Sequence, residues 1–564
     1  MTQTADRALL GKVVSWGTLV ATIFVLPGAA FDPINTPKLF ALTLFAGVAF
    51  GAIAVNLKHF KSGFSKPLTI LAGLLVFDLF VIYLVSSADY FESFYGTFGR
   101  STGLLAYLSL TLLMVAGSFA ASNVSLNHMV KSLFVAGVLS VTYGLIQILD
   151  LEFLSWSNPY GPVIGFLGNP NFQSSFLGLV GILSFGYLLN SKADLKMRVA
   201  FLTLFLMSLF VIIKTNSQQG LIVLALGVGI VSVYRINFSK FRSTIPVLLG
   251  LGGITLVSAI FGMLNKGPFA SLLYGPTLTY RGDYWLAGWN MSLQQPLFGI
   301  GLDNYGEWYR RTRSLEATLR RGPDTTSNAA HNVLLDLSSN GGFPLLIIYL
   351  SIMGLALWSA FRVLKRQSNS KFDPAFISIF AVWVAYHAQS VISINQIGLA
   401  IWGWAITGLI IGYELHTRDS LENPITNTKS SRTKTVLKSN AQVSPKTVLG
   451  GFLGLLISLT VSLPALVATV SYRNALVSGA LESIVEKTTS WPANQAHYLQ
   501  TAQVFRDNKF EQQALEIAEM AVQKYPDSFK AWELLYSIDS APASSKNEAM
   551  AQMKRLDPLN PNLK

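Results

Sequence analysis

The apolar positions of this chain come in unbroken blocks rather than in alternation. Blocks of about 20 residues recur, each long enough to cross a ~30 Å hydrocarbon core. They lie near 9–30, 37–56, 67–86, 102–121, 128–149, 170–190, 197–214, 219–234, 244–264, 343–361, 374–393, 396–413 and 447–469. Inside a bilayer no water satisfies the backbone, so only helices or closed barrels span it. Barrel strands would alternate apolar and polar side chains, and these blocks do not. The pattern therefore predicts an all-α fold, a polytopic helical membrane bundle of about 12–13 transmembrane helices. The first block follows Arg7 and Lys12 and imitates a signal peptide. The many blocks behind it make an uncleaved anchor the expectation.

The polar intervals divide the chain. Residues 1–264 read as the N-terminal membrane helices, 265–342 as a large extracytoplasmic loop, and 343–413 as the C-terminal membrane helices. Residues 414–446, rich in Ser, Thr, Asn and Lys, read as a flexible cytoplasmic linker. Residues 447–470 hold the last membrane helix, and 471–564 form a tail of different character. In the tail the apolar residues take helical spacing, at Ala502, Phe505, Ala514, Leu515, Ala518, Ala521 and Val522. WPANQAHYLQ and YPDSFKAWELL resemble each other across the interval from Pro492 to Pro526, a tetratricopeptide-like period. About two such repeats fit. Fewer than three are marginal alone, so the tail is expected to dock on another surface, with a protein partner for residues 471–564 as one option.

Composition sharpens this picture. The chain is 51% hydrophobic and 13% charged, whereas globular domains carry about 25% charged residues. The net charge of +13 invites a nucleic-acid reading, but its distribution argues against one. Lysines and arginines gather in alternate intervals, such as Lys58, Lys61 and Lys66, then Arg235, Lys240 and Arg242, then Arg362, Lys365 and Arg366. That is the positive-inside pattern. It predicts a cytoplasmic N-terminus, with the 265–342 loop and the tail outside, and lipid rather than nucleic acid as the surroundings. The chain has no cysteine, so disulfides and thiol chemistry are excluded.

Candidate chemistry concentrates at the predicted outer face. Arg281 opens the sequence RGDYW. A guanidinium at the membrane surface suits an anionic, lipid-linked group, because it pairs with phosphate oxygens and keeps its charge. The bland alternative is an arginine snorkelling from a helix end. Asp283 is placed to orient Arg281 or to cap a helix. Arg310, Arg311, Arg313, Arg320 and Arg321 make the loop basic, and a solvated helix face is the expectation for most of them. His331, followed by Asn332, stands where a hydrophobic helix resumes. Its neutral imidazole could take a proton from a hydroxyl; the alternative is a polar residue at a helix start. Arg100 in YGTFGRSTGLLAY, Asn169 and Asn171 in GNPNF, and Gln219 in NSQQG are further outer-face residues for sugar or phosphate contacts. For the two asparagines the alternative is plain turn chemistry. No spacing of His and carboxylates suits a metal, so no cofactor is expected.

RGDYW…PLFGIGLDNYG…AHNVLLDLSSNGGFPLLIIYL resembles the signature region of the O-antigen ligase and polymerase superfamily of bacterial membrane proteins. The resemblance covers the loop and its flanking spans. It implies a helical bundle in the cytoplasmic membrane with a periplasmic or extracellular loop over a lipid-facing cavity. It also implies a metal-independent glycan transferase that moves a chain from undecaprenyl diphosphate to an acceptor lipid, glycan or protein. By the same resemblance His331 matches the histidine that activates the acceptor, and Arg281 the arginine that holds the leaving diphosphate. One departure stands out: where relatives often carry an arginine in a Ser-Arg-Gly-like motif, this chain has Gln219. A ligase and a polymerase remain open alternatives. So does a transporter or flippase for a lipid-linked glycan, although transporters place ionisable residues near the midplane. A noncatalytic scaffold acting through the tail is a further reading.

Overall fold

The computed structural model describes residues 2–154, 158, 160–161, 163–190, 193–263, 265–273, 276–368, 372–422 and 442–563. Among the described residues all regular structure is helical. A long helix stands at every predicted span. These are α1 (Thr2–Ile23), α2 (Asn35–Val55), α3 (Lys66–Val85) and, after a short α4 (Tyr90–Tyr95), α5 (Leu104–Ala120) and α6 (Asn123–Ile148). There follow α7 (Pro170–Leu188), α8 (Leu195–Lys214), α9 (Gln218–Ile236) and α10 (Ile245–Met263). The large loop holds α11 (Ala270–Leu273), α12 (Pro276–Gln294), α13 (Tyr305–Thr312) and α14 (Leu315–Arg321). Then come α15 (Val333–Gln367), α16 (Pro374–Ser390), α17 (Ile397–Glu422) and α18 (Pro445–Ser478). The tail is α19 (Leu481–Thr489), α20 (Gln495–Asp507), α21 (Glu511–Lys524), α22 (Phe529–Ser537) and α23 (Ala543–Leu556). Nine of the described helices are long and apolar enough to cross a membrane. The chain is a multi-pass helical membrane protein.

Helix limits differ from the hydrophobic blocks where polar packing or proline intervenes. α1 begins at Thr2, because its polar first turns pack rather than dangle. The Arg7 guanidinium donates to the carbonyls of Phe119 and Ala121, and the Asp6 carboxylate accepts from the Ser444 amide at 2.8 Å. α1 stops at Ile23, ahead of Pro27, since a proline lacks the N–H that a continuing helix needs. α17 runs on to Glu422; residues 423–441 of the predicted linker lie outside the described residues.

The membrane helix after the large loop starts before the predicted loop ends, at Val333, and is broken at Gly342. Gly342 sits at φ 75° inside α15 and divides it in two. A side chain there would meet the Leu297 backbone at 2.6 Å. The PLFGIG segment uses that gap: Phe343 N donates to Pro296 O at 2.8 Å, and Ile300 N to Ser339 O at 2.9 Å. The loop is thus folded helical structure anchored on the kink of a membrane helix.

Two devices fix the tail. The first is a glycine seam between α2 and α18. Gly47 and Gly51 face Gly450 and Gly454, and a Cβ on Gly51 would lie 3.0 Å from Gly454 Cα. In lipid, helix pairing rests on such close backbone approach rather than on the hydrophobic effect. α18 has 34 residues, about 50 Å at 1.5 Å per residue, and it runs from the seam into the tail. The second device is a buried charge cluster. Most of the five loop arginines are expected on a solvated face, but Arg310 and Arg313 are buried. Asp557, 1% exposed, pairs with Arg310 at 2.9 Å and with Arg313 at 2.7 Å. Arg311 pairs with Asp527 at 3.2 Å, Arg320 pairs with Asp283 at 2.6 Å, and Arg321 covers the Tyr280 ring at 4.1 Å. The expectation failed because the partner of Arg310 and Arg313 lies in the tail, far away in sequence. The tail has its own core, which buries the seven residues singled out by spacing.

Replacing Asp557 by Ala leaves two buried guanidiniums without a counter-charge, a loss of about 3–5 kcal/mol. The expected outcome is a lower thermal midpoint and faster proteolysis within 481–556; unchanged protection would show that the cluster does not hold the tail.

Candidate functional site

Where the interhelical loops, the large loop and the tail meet, they enclose a cavity of about 1150 Å³. Its wall includes Arg281, His331, Arg100, Asn169, Asn171 and Gln219. The sequence places these on five separate segments, and the fold brings them to one end of the bundle.

His331 owes its position to local backbone chemistry. Its φ of 54° is left-handed, a conformation uncommon outside glycine that Asn, Asp and His adopt more readily than most. On one side Ala330 N donates to Asp336 Oδ1 at 2.7 Å. On the other, Asn332 caps α15 by accepting from Leu334 N at 2.9 Å and Leu335 N at 3.3 Å. The imidazole stacks on Tyr284, with centroids 5.3 Å apart. Neither ring nitrogen bonds to a described residue. Burial, then the positive fields of Arg281, Arg100 and Arg321, lower its pKa to about 4. At neutral pH the ring is uncharged.

Arg281, on α12, is half-buried and makes no ion pair or hydrogen bond with the described residues. Arg100 differs. It is 5% exposed, and its Nε donates to Asp303 Oδ1 at 2.8 Å. Asp303 also accepts from Thr97 N at 2.8 Å, Thr102 N at 3.2 Å and the Thr102 hydroxyl at 2.8 Å. Five bonds on one carboxylate, counting the Thr97 hydroxyl, tie the 97–102 turn to the large loop.

The amides line the opposite wall. Asn169 caps α7 through Asn171 N at 2.9 Å. Asn171 Oδ1 accepts from the Ser217 hydroxyl at 2.7 Å, and Ser217 in turn caps α9 at Gln219 N. Gln219 Nε2 donates to Ile392 O at 3.2 Å, while its buried Oε1 has no partner. Asp283 and Asn332 stand apart from this wall: Asp283 pairs with Arg320, and Asn332 is spent on the α15 cap.

The wall also contains residues that the sequence reading passed over. Asn35 donates to Gly99 O at 2.6 Å and accepts from Gln396 Nε2 at 3.3 Å. Asn395 and Gln396 lie in the polar break SINQ between α16 and α17, and that interruption of an apolar run is the signal that could have found them. Arg473 and Gln500 come from the tail side, on α18 and α20. Nothing local in their sequence marks them.

Replacing Asp303 by Asn strips the counter-charge from buried Arg100. The expected loss is about 3–5 kcal/mol of stability, read as a lower unfolding midpoint in detergent; an unchanged midpoint would exclude the pair as a structural tie.

Residues 202–350 match the family described as O-Antigen ligase. That segment includes Gln219, Arg281 and His331. The chain is also similar to the teichuronic acid biosynthesis protein TuaE of Bacillus subtilis (strain 168). The two are 21% identical over 268 residues, which is 45% of this chain and 52% of the relative. The chain thus spans about half the length of that relative. This match and this relation, beside an all-helical membrane fold, make the chain similar to O-antigen ligase proteins over that segment.

Proposed function

We propose that the protein transfers a glycan from undecaprenyl diphosphate to an acceptor hydroxyl on the outer face of a bacterial cytoplasmic membrane. The observation that carries this reading is the joint presence of His331 and Arg281 in one cavity. The acceptor hydroxyl gives its proton to a His331 ring nitrogen as its oxygen bonds to the anomeric carbon. The bond from that carbon to the diphosphate oxygen breaks, and its electron pair leaves with the diphosphate. Arg281 meets the charge that develops there. No metal enters this scheme. At about 1150 Å³ the cavity exceeds the ~300–1,000 Å³ of ordinary small-molecule sites, which suits a sugar chain with its headgroup.

Burial, and after it the positive field of the arginines, keep His331 neutral and also weaken it as a base. A bound diphosphate offsets the nearby guanidiniums and raises its proton affinity. Substrate binding therefore readies the base. Gln219 offers an amide where an arginine would add charge, so the leaving group relies on the remaining guanidiniums.

The cavity wall comes from loops at one end of the bundle, which supports transfer over midplane transport. The orientation proposed is loop and tail outside. The large loop and the tail pack together at one end, while Arg7, Lys58 and Arg366 lie at the other, as the positive-inside pattern requires. A polymerase is the second reading, favoured by the printed name of TuaE, which concerns synthesis of a polymer. The two readings share the chemistry and differ in the acceptor, so reconstitution with lipid-linked glycan and a panel of acceptors separates them.

With normal protein levels in the membrane, His331→Ala is expected to lower transfer by about 10²–10⁴-fold, and Arg281→Ala by about 10²–10³-fold, measured as initial rates in proteoliposomes. Undiminished product from His331→Ala would remove the imidazole from the reaction. The acid limb of kcat/KM, which reports free enzyme, is expected near the His331 value of about 4, with the neutral base active above it and protonated below. The acid limb of kcat should lie at higher pH, because the bound diphosphate raises the pKa. Coincident limbs at an ordinary histidine value would contradict the field effect.

A further inference from the structure

Arg473 stands out among the arginines at this end of the molecule. Arg100, Arg310, Arg311, Arg313 and Arg320 each have a carboxylate partner. Arg473 is half-buried in the cavity wall, with no ion pair or hydrogen bond to any described residue. Its backbone, however, is held on both sides. Four residues earlier on α18, Thr469 accepts from Phe31 N at 3.0 Å through its carbonyl and from Asp32 N at 2.7 Å through its hydroxyl. One residue earlier, Tyr472 is fully buried, bonds to His497 O at 3.0 Å and stacks on His497 at 4.0 Å. A guanidinium on so fixed a stem, aimed into a cavity, has lost conformational freedom without gaining an internal partner.

The charges of the wall point the same way. Its one acidic described residue is Asp32, and both Asp32 oxygens are occupied by Ile34 N, Asn35 N, Thr36 N and the Thr36 hydroxyl. Asp303 matches Arg100. Arg281 and Arg473 are left without a counter-charge on different elements, α12 and α18. A ligand with a single compact anion would satisfy one of them.

We propose that Arg473, with Gln500 beside it on α20, forms a second anion-binding position in the cavity, for a carboxylate or phosphate of the glycan substrate, so that the tail supplies part of the substrate site. The position holds an anionic group of the sugar chain or the outer phosphate of the carrier, while Arg281 and His331 hold the reacting end. Arg473 is a binding residue, and the proposal rests on the transferase reading only for the identity of its ligand.

The test is direct binding to the full-length protein in nanodiscs. The probes are a polyprenyl diphosphate bearing a uronate-rich chain and the same carrier with the chain carboxyl-reduced. Arg473→Gln is compared with wild type, with Arg473→Met as the variant that keeps the apolar stem and Arg473→Lys as the one that keeps the charge. Loss of the guanidinium is expected to weaken binding about tenfold to a hundredfold, with partial recovery in Arg473→Lys. Weakening confined to the uronate chain assigns the position to a sugar carboxylate; weakening of both chains assigns it to the diphosphate. Equal affinities for wild type, Arg473→Gln and Arg473→Met on both chains overturn the proposal. Should wild type bind neither carrier, the transferase reading falls and inorganic diphosphate tests the position alone. Binding of that probe sensitive to Arg473→Gln then keeps the proposal, and absent or insensitive binding ends it.

Discussion

The architecture of the cavity depends on one carboxylate. Asp303 is almost fully out of water, and a buried charge is tolerable only with a counter-charge and filled hydrogen bonds. It obtains both from a single turn, residues 97–102, which precedes α5 in the membrane bundle. The GLDNYG stretch of the large loop is therefore welded to the core at the point where the cavity opens. His331 and Arg281 belong to the same loop and inherit that placement. Arg100, read from sequence as a substrate contact, lines the cavity yet spends its Nε on Asp303. Its charge is largely answered within the protein, and the unanswered charge lies on other arginines.

What the sequence revealed, and what it hid, follow from the range of the interactions. Spans were legible because a bilayer demands continuous apolar blocks, a property of neighbouring residues. The kink at Gly342 was not read from the sequence, because its partner, the Leu297 backbone, lies some forty-five residues earlier. His331 and Arg281 were visible because their neighbourhoods form a recognisable motif. Arg310, Arg311 and Arg313 were misread because Asp557 and Asp527, which decide their environment, are over two hundred residues further along the chain. Arg473 was hidden within an apolar helix whose neighbours say nothing about a cavity. Long-range pairing leaves no local periodicity to read.

The cavity is also wider in origin than the family signature. The matched segment, 202–350, brings the imidazole, one guanidinium and Gln219. Asn35, Arg100, Asn171, Gln396 and Arg473 come from outside it. In the proposed transfer, the residues assigned to the reaction and most of those assigned to recognition thus come from different parts of the chain.

The glycine seam of α2 and α18 has a consequence for biogenesis. The helix that bears Arg473 is the last membrane helix in chain order among the described residues, and it seats against α2 through close backbone approach at the glycines. A chain that carries every earlier helix still lacks the part of the cavity wall that Arg473, Leu476 and Gln500 supply. Only when α18 docks against α2 and the tail packs beside it does that flank close. The cavity is therefore complete only once this final helix is in place.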